Sequence, residues 1–120
     1  MDTDFHNGAN DAPIDQSTIE ALRDEGENLL SQLVDMFIGE VPVQLATLEE
    51  ALTKGDAIAT RLSAHTLKGT SSNFGASRMQ VLAGAIEENG RDGALAGAAA
   101  TLVQLRAEYV RVREALEAAR

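Results

Sequence analysis

The sequence predicts an all-α protein, an antiparallel up-down four-helix bundle with a short additional helix at its N-terminal end. Aromatic residues make up only 3% of the 120-residue chain, while 44% of its residues are hydrophobic. The core must therefore consist mainly of Leu, Ala, Val and Ile, which suits helices better than strands. No stretch alternates apolar and polar residues in the manner of a half-buried strand. Glycines and capping residues instead divide the chain into segments with helical apolar spacing.

The beginning of the chain predicts a leader followed by two helices. Residues 1–14 carry several acids and no apolar periodicity, which predicts a disordered leader, and residues 15–120 are expected to form one domain. A short helix is expected at 17–25, where Ser17 and Glu20 form a capping-box pattern. A long helix is expected at 28–54, kinked at Pro42. Its apolar positions recur at helical spacing: Leu30, Leu33, Phe37, Val41, Leu45, Leu48 and Leu52.

Three further helices are expected at 57–74, 77–89 and 93–119. Asp56 and Asp92 are suitable N-caps for the first and last of them, and Ser77 begins a second capping-box pattern. Four glycines are expected as left-handed C-caps, at Gly26, Gly55, Gly75 and Gly90. The last helix has the alternating three- and four-residue spacing of helices packed at a shallow angle: Leu95, Ala98, Leu102, Leu105, Tyr109, Val112 and Leu116.

Charge and composition exclude several classes of function. Ten Lys and Arg residues against nineteen Asp and Glu give a net charge of -9, which argues against nucleic acid and against an anionic membrane surface as partners. No apolar run approaches the roughly 20 residues of a membrane span, and the N-terminus is acidic, so we expect a cytoplasmic protein. The chain has no cysteine and two histidines, so no metal site is expected. The sequence contains no glycine-rich nucleotide-binding loop, so ATP binding is not expected.

The helix predicted at 57–74 holds the residues that could perform chemistry. On a helical wheel, His65 shares a strip with Arg61, Lys68 and Ser72, at or beyond the edge of the apolar face. An imidazole flanked by two cations should stay neutral and attract an anion. The face expected to pack in the core, with Leu67 at its margin, comprises Ile58, Leu62, Thr66, Thr70 and Phe74.

Gly69 is unusual because a mid-helix glycine costs about 0.8–1.0 kcal/mol relative to alanine. Helical side chains lean toward the N-terminus, so a side chain at position 69 would lean over His65. A glycine leaves the imidazole uncovered and lets the backbone of another protein approach. A close contact with a neighbouring helix is the structural alternative.

The stretch from His65 to Ala76, HTLKGTSSNFGA, resembles the signature of histidine phosphotransfer (HPt) domains: H-x-L-K-G-x-S, then a hydrophobe, Gly and a small residue. The resemblance extends over almost the whole chain from Ile14. It includes Pro42 in the second helix and the later segment IEENGRDG. The resemblance implies a monomeric four-helix bundle that transfers phosphoryl groups between receiver domains.

The resemblance implies roles for individual residues. His65 would accept a phosphoryl group from a receiver-domain aspartate and pass it to the aspartate of another response regulator, and Lys68 would stabilise its charge. The residues expected to bind the partner are Arg61, Ala64, Gly69 and Ser72. The adjacent acids Glu87 and Glu88 point apart on a helix, so the sequence places them on ordinary solvated faces. Glu87 also stands where some members carry Gln, and because an acid would repel phosphate we expect no catalytic role for it.

The same resemblance implies a carrier without ATP-binding or autokinase activity. It would need no cofactor of its own, since the partner receiver domain would supply Mg²⁺, and a hybrid histidine kinase is the expected donor. Two alternatives stay open at this point: a helical adaptor without chemistry, and a histidine-kinase dimerisation-like module. Acid-labile phosphate on the chain would argue against the first, and a monomeric mass in solution would argue against the second.

Overall fold

The computed structural model describes residues 12–26 and 28–120, and within these residues all regular structure is helical. The described helices are α1 (Gln16–Glu25), α2 (Leu29–Thr53), α3 (Ala57–Ser72), α4 (Ser77–Asp92) and α5 (Ala98–Ala119). The all-α prediction is therefore confirmed. Most of the predicted leader lies outside the described residues, but its last residue, Ile14, is only 3% exposed and belongs to the core.

Each helix packs against its neighbours in the chain, and the last helix, α5, also returns to contact α2. α3 packs against both α2 and α4, α5 packs against α4 and α2, and α1 contacts α2. Short connections, such as residues 54–56 and 73–76, return the chain beside the helix that it has just left. α2 is continuous through Pro42, as the sequence predicts.

Acidic caps fix where two of the helices begin. Asp56 accepts a hydrogen bond from the Ala59 N–H at 3.0 Å, as predicted. α1 starts earlier than predicted, because the Asp15 carboxylate accepts hydrogen bonds from the Thr18 N–H at 3.1 Å and from the Ser17 hydroxyl at 2.6 Å. Asp15, and not Ser17, therefore satisfies the free N–H of the first turn.

Two of the other predicted caps are also wrong. Ser77 is the first residue of α4, and the cap position before it is Ala76. Asp92 is the last residue of α4 and does not cap α5, which begins only at Ala98. Leu95, predicted to start the seam of the last helix, therefore lies in the connection.

The turns after α2, α3 and α4 each use a glycine with a left-handed backbone: Gly55 (φ 69°), Gly75 (φ 64°) and Gly93 (φ 70°). Gly55 and Gly75 are the predicted C-caps. The prediction for Gly90 is wrong, because α4 runs through it to Asp92. Gly26 has a φ of 171°, an extended conformation that any residue adopts.

The apolar seams of α2 and α5 form the centre of the core, as predicted. Phe37 of α2 meets Phe74 edge-to-face at a ring distance of 5.4 Å, and its ring lies 5.7 Å from that of Tyr109. Five of the seven predicted α2 positions are buried, while Leu33 and Leu52 are partly buried. In α5 the six helical positions of the predicted seam are buried: Ala98, Leu102, Leu105, Tyr109, Val112 and Leu116.

α3 turns a different face to the core from the one the sequence predicts. Its buried residues are Thr60, Ala64, Leu67 and Ser71. Ile58 and Leu62, predicted to be in the core, are 68% and 54% exposed. The error arises because the packed face of α3 carries mostly small residues, whereas the wheel was oriented by the larger apolar ones.

The small face of α3 allows a very close approach to α4. A Cβ atom added at Gly90 would lie 2.7 Å from the Arg61 N atom and 2.8 Å from its Cα. Backbone atoms cannot yield as a flexible side chain can, so position 90 requires glycine for packing. Gly90 is accordingly buried within α4.

α2 is the one helix in the described part of the chain whose length and composition would allow it to cross a membrane, with a mean hydropathy of 1.2 over 18 residues. Its apolar stretch is not an uninterrupted run, because Asp35 and Glu40 lie within it. The core helices of soluble proteins pass the same test. α2 contributes its buried residues to the core shared with α5.

Replacing Gly90 with alanine should destabilise the fold, because the added methyl group meets the Arg61 backbone. The expected loss is about 1–3 kcal/mol in the free energy of unfolding, the usual cost of overpacking. Denaturant unfolding monitored by circular dichroism measures it. Gly69→Ala is the matched control: position 69 has nothing within 4 Å of an added Cβ, so it should gain up to about 1 kcal/mol. Equal stabilities for the two variants would contradict the close approach of α3 and α4.

Candidate functional site

His65 projects from α3 toward solvent and is held by a residue of α4. Its side chain is 67% exposed, and its Nδ1 atom lies 2.8 Å from the Oε2 atom of Glu87. A carboxylate is only an acceptor, so this hydrogen bond places a proton on Nδ1. In the neutral ring the other nitrogen, Nε2, then carries the lone pair on the outward side of the imidazole.

Glu87 is the centre of the cluster, because its two carboxylate oxygens bind three basic side chains. Oε1 accepts from the Lys68 ammonium at 2.7 Å, and Oε2, which binds His65, also lies 3.5 Å from the Arg91 guanidinium. The Glu87 side chain is only 6% exposed. A nearly buried carboxylate is stable when it is paired in this manner.

These contacts hold the pKa of the Glu87 carboxyl below its ordinary value. The hydrogen bond from Lys68 has the largest lowering effect, burial acts in the opposite direction, and the contact with His65 adds to the lowering. Glu87 therefore carries its charge in the folded protein at neutral pH. The ionised group in contact with the imidazole is thus the Glu87 carboxylate. The sequence instead predicts two flanking cations, Arg61 and Lys68.

The expectation that Glu87 lies on a solvated face is wrong. The buried positions of α4 are Met79, Leu82, Ala83, Ile86, Glu87 and Gly90. Glu87 follows Met79 and Ala83 at helical spacing, on the face that packs against α3. Extending the periodicity from Met79 and Ile86 would therefore have predicted its burial, whereas Glu88, its neighbour in the sequence, is exposed.

The residues expected to bind a partner differ in their positions on α3. Gly69 is exposed, with open space where its side chain would be, so a contact with a neighbouring helix does not explain it. The Ser72 hydroxyl is exposed but donates to the Gly69 carbonyl at 2.7 Å. Arg61 is partly exposed and forms no hydrogen bond or ion pair with the described residues. Ala64 is fully buried, so its assignment to the partner surface is wrong.

Two apolar side chains lie on the same exposed side of α3 as His65. At 100° per residue, Ile58 points within about 20° of both His65 and Gly69. Leu62 is adjacent to Gly69 on the same wheel and is 54% exposed. The imidazole is therefore bordered by apolar surface, contrary to the prediction that Ile58 and Leu62 lie in the core.

Across residues 12–26 and 28–120, no three His, Asp or Glu side chains are grouped so as to hold a metal ion. The chemistry available at the site is that of one exposed nucleophilic nitrogen, one buried carboxylate and the lysine and arginine that bind it. This set can accept a small electrophile and stabilise an anion beside it, provided that a partner supplies the remaining groups.

Comparisons with known proteins identify a matching family and a similar solved structure. A family model described as the Hpt domain matches residues 32–117. The chain is similar to the crystal structure of histidine-containing phosphotransfer protein B (HptB) from Pseudomonas aeruginosa PAO1, with a TM-score of 0.82 and 33% sequence identity, over 88% of this chain and 91% of that one. A search of curated proteins finds no match.

The lowered pKa of Glu87 predicts a pH-dependent contribution to stability. Since the pKa of Glu87 is lowered on folding, its ionised carboxylate stabilises the fold. The full stabilisation is present at pH values above the unfolded pKa of about 4.3. The contribution disappears as the pH falls through the lower, folded pKa. Glu87→Gln should therefore unfold more readily than wild type at pH 7, and the difference should shrink progressively below about pH 4.

Denaturant unfolding of both proteins at several pH values measures this effect. The control is Glu88→Gln, which alters the adjacent acid, whose side chain is 65% exposed, and should change stability little at any pH. A gap between Glu87→Gln and wild type that stays constant from pH 7 to pH 3 would show that the charge of Glu87 does not stabilise the fold.

Proposed function

We propose that His65 is the phosphoryl acceptor of this chain, which belongs to the Hpt domain family. Members of that family are phosphocarrier intermediates of two-component phosphorelays and carry no cofactor. The observation that supports this most directly is the orientation of the imidazole. Glu87 binds Nδ1 at 2.8 Å while the ring is 67% exposed, so a partner can reach the nitrogen that carries the lone pair.

In the proposed reaction, Nε2 of His65 attacks the phosphorus of an aspartyl phosphate on a receiver domain. An N–P bond forms as the P–O bond breaks, and the electron pair of that bond returns to the aspartate carboxylate. The proton stays on Nδ1, where the Glu87 carboxylate stabilises the positive charge that the ring gains. The reverse step delivers the phosphoryl group to the aspartate of a second response regulator.

Phosphoryl transfer depends mainly on in-line positioning and on charge stabilisation, and the partners divide these tasks. His65 supplies the nucleophile and Lys68 a cation, while the receiver domain supplies the acyl phosphate and the Mg²⁺ ion. The chain itself needs neither ATP nor autokinase activity for this exchange. The family implies interaction with receiver domains and with kinases, and we extend the proposal to a hybrid histidine kinase as donor.

The receiver would dock on the exposed side of α3. Gly69 leaves the approach to His65 open, and Ile58 and Leu62 provide exposed apolar area. Arg61 offers a charge that no described residue neutralises, and Ser72 completes the polar edge. An up-down four-helix bundle of residues 15–120, acting as a monomer in the cytoplasm, would present this surface to successive partners. The order of the helix contacts supports that arrangement.

His65→Gln should abolish labelling of the chain. When the wild-type protein is mixed with a receiver domain carrying radioactive aspartyl phosphate, we expect acid-labile, base-stable label on the chain and none on the variant. Because the His65 side chain is mostly exposed, the variant should keep its helical circular dichroism spectrum and its melting temperature. Label on His6 or on a serine would contradict the proposal, and wild-type protein that binds the receiver without ever gaining label would favour an adaptor.

Gly69→Gln should separate docking from folding. An added side chain meets no other residue and gains helix propensity, so the variant should melt at or above the wild-type temperature. The glutamine would lean back over His65 and should weaken receiver binding and label transfer by at least tenfold. Calorimetric titration with the receiver measures the binding. A stable variant that binds and transfers normally would show that the receiver docks elsewhere.

A further inference from the structure

Lys68 and His65 bind the two oxygens of the same Glu87 carboxylate. The ammonium lies 2.7 Å from Oε1 of the same carboxylate whose Oε2 binds Nδ1 of the imidazole. The phosphoryl group would be attached to Nε2, across the ring from Nδ1. A lysine that transfers its hydrogen bond from Glu87 to that group would give up at least part of its contact with the carboxylate.

Breaking the contact between Lys68 and Glu87 is energetically unfavourable, because the carboxylate is only 6% exposed and Lys68 is its shortest cationic contact. A carboxylate so poorly hydrated needs another partner when its cation departs. Arg91 is the available one. Its guanidinium lies 3.5 Å from Glu87 but 2.8 Å from Glu88, so in the unphosphorylated protein it is closer to the exposed acid.

We propose that Lys68 is a cation with two positions and that Arg91 controls its release. In the free carrier Lys68 binds Glu87. In the phosphorylated carrier it moves to the phosphoryl group, and Arg91 shifts from Glu88 to take its place on Glu87. The inference deepens the proposed function, on which it rests, and it makes Arg91 a positioning residue that acts through Glu87 without touching the phosphoryl group.

Two consequences distinguish this exchange from a fixed site. The loss of Arg91 should strengthen the hold of Glu87 on Lys68 and so lower the phosphoryl affinity of the carrier. The loss of the Glu87 charge should free Lys68 for the phosphoryl group and make Arg91 irrelevant. In a fixed site where Glu87 preorganises Lys68, the loss of Glu87 would instead reduce what Lys68 contributes.

The test is the equilibrium between phosphorylated carrier and phosphorylated receiver, measured for wild type, Arg91→Ala, Lys68→Ala, Glu87→Gln and the double variants. Partly exposed ion pairs are usually worth a factor of about two to five in an equilibrium constant. Arg91→Ala should shift the equilibrium toward the receiver by about that factor, and Arg91→Lys should restore it. In the Glu87→Gln background, Arg91→Ala should leave this equilibrium unchanged. Lys68→Ala should shift it more in that background than it does in wild type.

Lys54→Ala is the control for net charge, since among the described residues Lys54 pairs only with the exposed Glu50. Lys54 lies in the connection after α2. It removes the same charge as Arg91→Ala and should leave the equilibrium unchanged. An equal shift in both variants would show that Arg91 acts only through net charge. A shift of the equilibrium by Arg91→Ala that persists in the Glu87→Gln background would overturn the exchange. A shift by Lys68→Ala that is smaller in the Glu87→Gln background than in wild type would also overturn it.

A second measurement does not depend on any receiver. Phosphoramidate phosphorylates imidazole directly: Nε2 attacks phosphorus, and the P–N bond of the reagent breaks to release ammonia. In a His6→Gln background, the ³¹P chemical shift of phosphorylated His65 should move in Lys68→Ala and in the same direction in Arg91→Ala. If the receiver fails to phosphorylate His65 but these shifts appear, the relay function is wrong and the exchange stands. If both variants keep the wild-type shift, the exchange is wrong.

Discussion

The site depends on how closely α3 and α4 approach each other. A Cβ atom at Gly90 would clash with the backbone of Arg61, and the facing surface of α3 consists largely of small side chains such as Thr60, Ala64 and Ser71. At this separation a glutamate one turn before Gly90 can reach across to the residues that follow Arg61 by one and two turns. His65 and Lys68 are those residues, so the packing of two helices determines the hydrogen bonding of the His65 imidazole.

The same proximity resolves an electrostatic difficulty. The chain carries a net charge of -9, which by itself opposes the addition of a phosphoryl group. Around His65, however, one carboxylate is met by Lys68 and Arg91, so the local charge is not that of the protein as a whole. Partial burial strengthens these interactions relative to those of fully exposed pairs. An acid at position 87 is then compatible with phosphate chemistry, because its charge is already used to bind the groups around it.

The sequence predicted the helical class, the long seams of α2 and α5, and the one helix that carries His65, because each depends on local periodicity and composition. It did not predict the orientation of α3, because the packed face holds small residues whose hydrophobicity is low, while Ile58 and Leu62 dominate any wheel. Ala64 was misassigned to the surface, and Glu87 to a solvated face, for related reasons. Both depend on which side of α3 meets α4, and that follows from complementarity between two helices and not from the pattern of either alone.

The reversed orientation of α3 gives its two sides separate tasks. On the packed side, small residues allow close contact, and stability comes from the fit with α4. On the other side, Ile58 and Leu62 expose apolar area beside His65 and Gly69. That area contributes little to folding, since it stays in water, but its burial against a partner is favourable at about 25 cal/mol per Å². A substitution there can therefore alter docking with little effect on stability, whereas one on the packed side alters the position of the imidazole itself. The proposed carrier role would be served by this separation, because a docking surface on the exposed side could change without disturbing the hydrogen bond between His65 and Glu87.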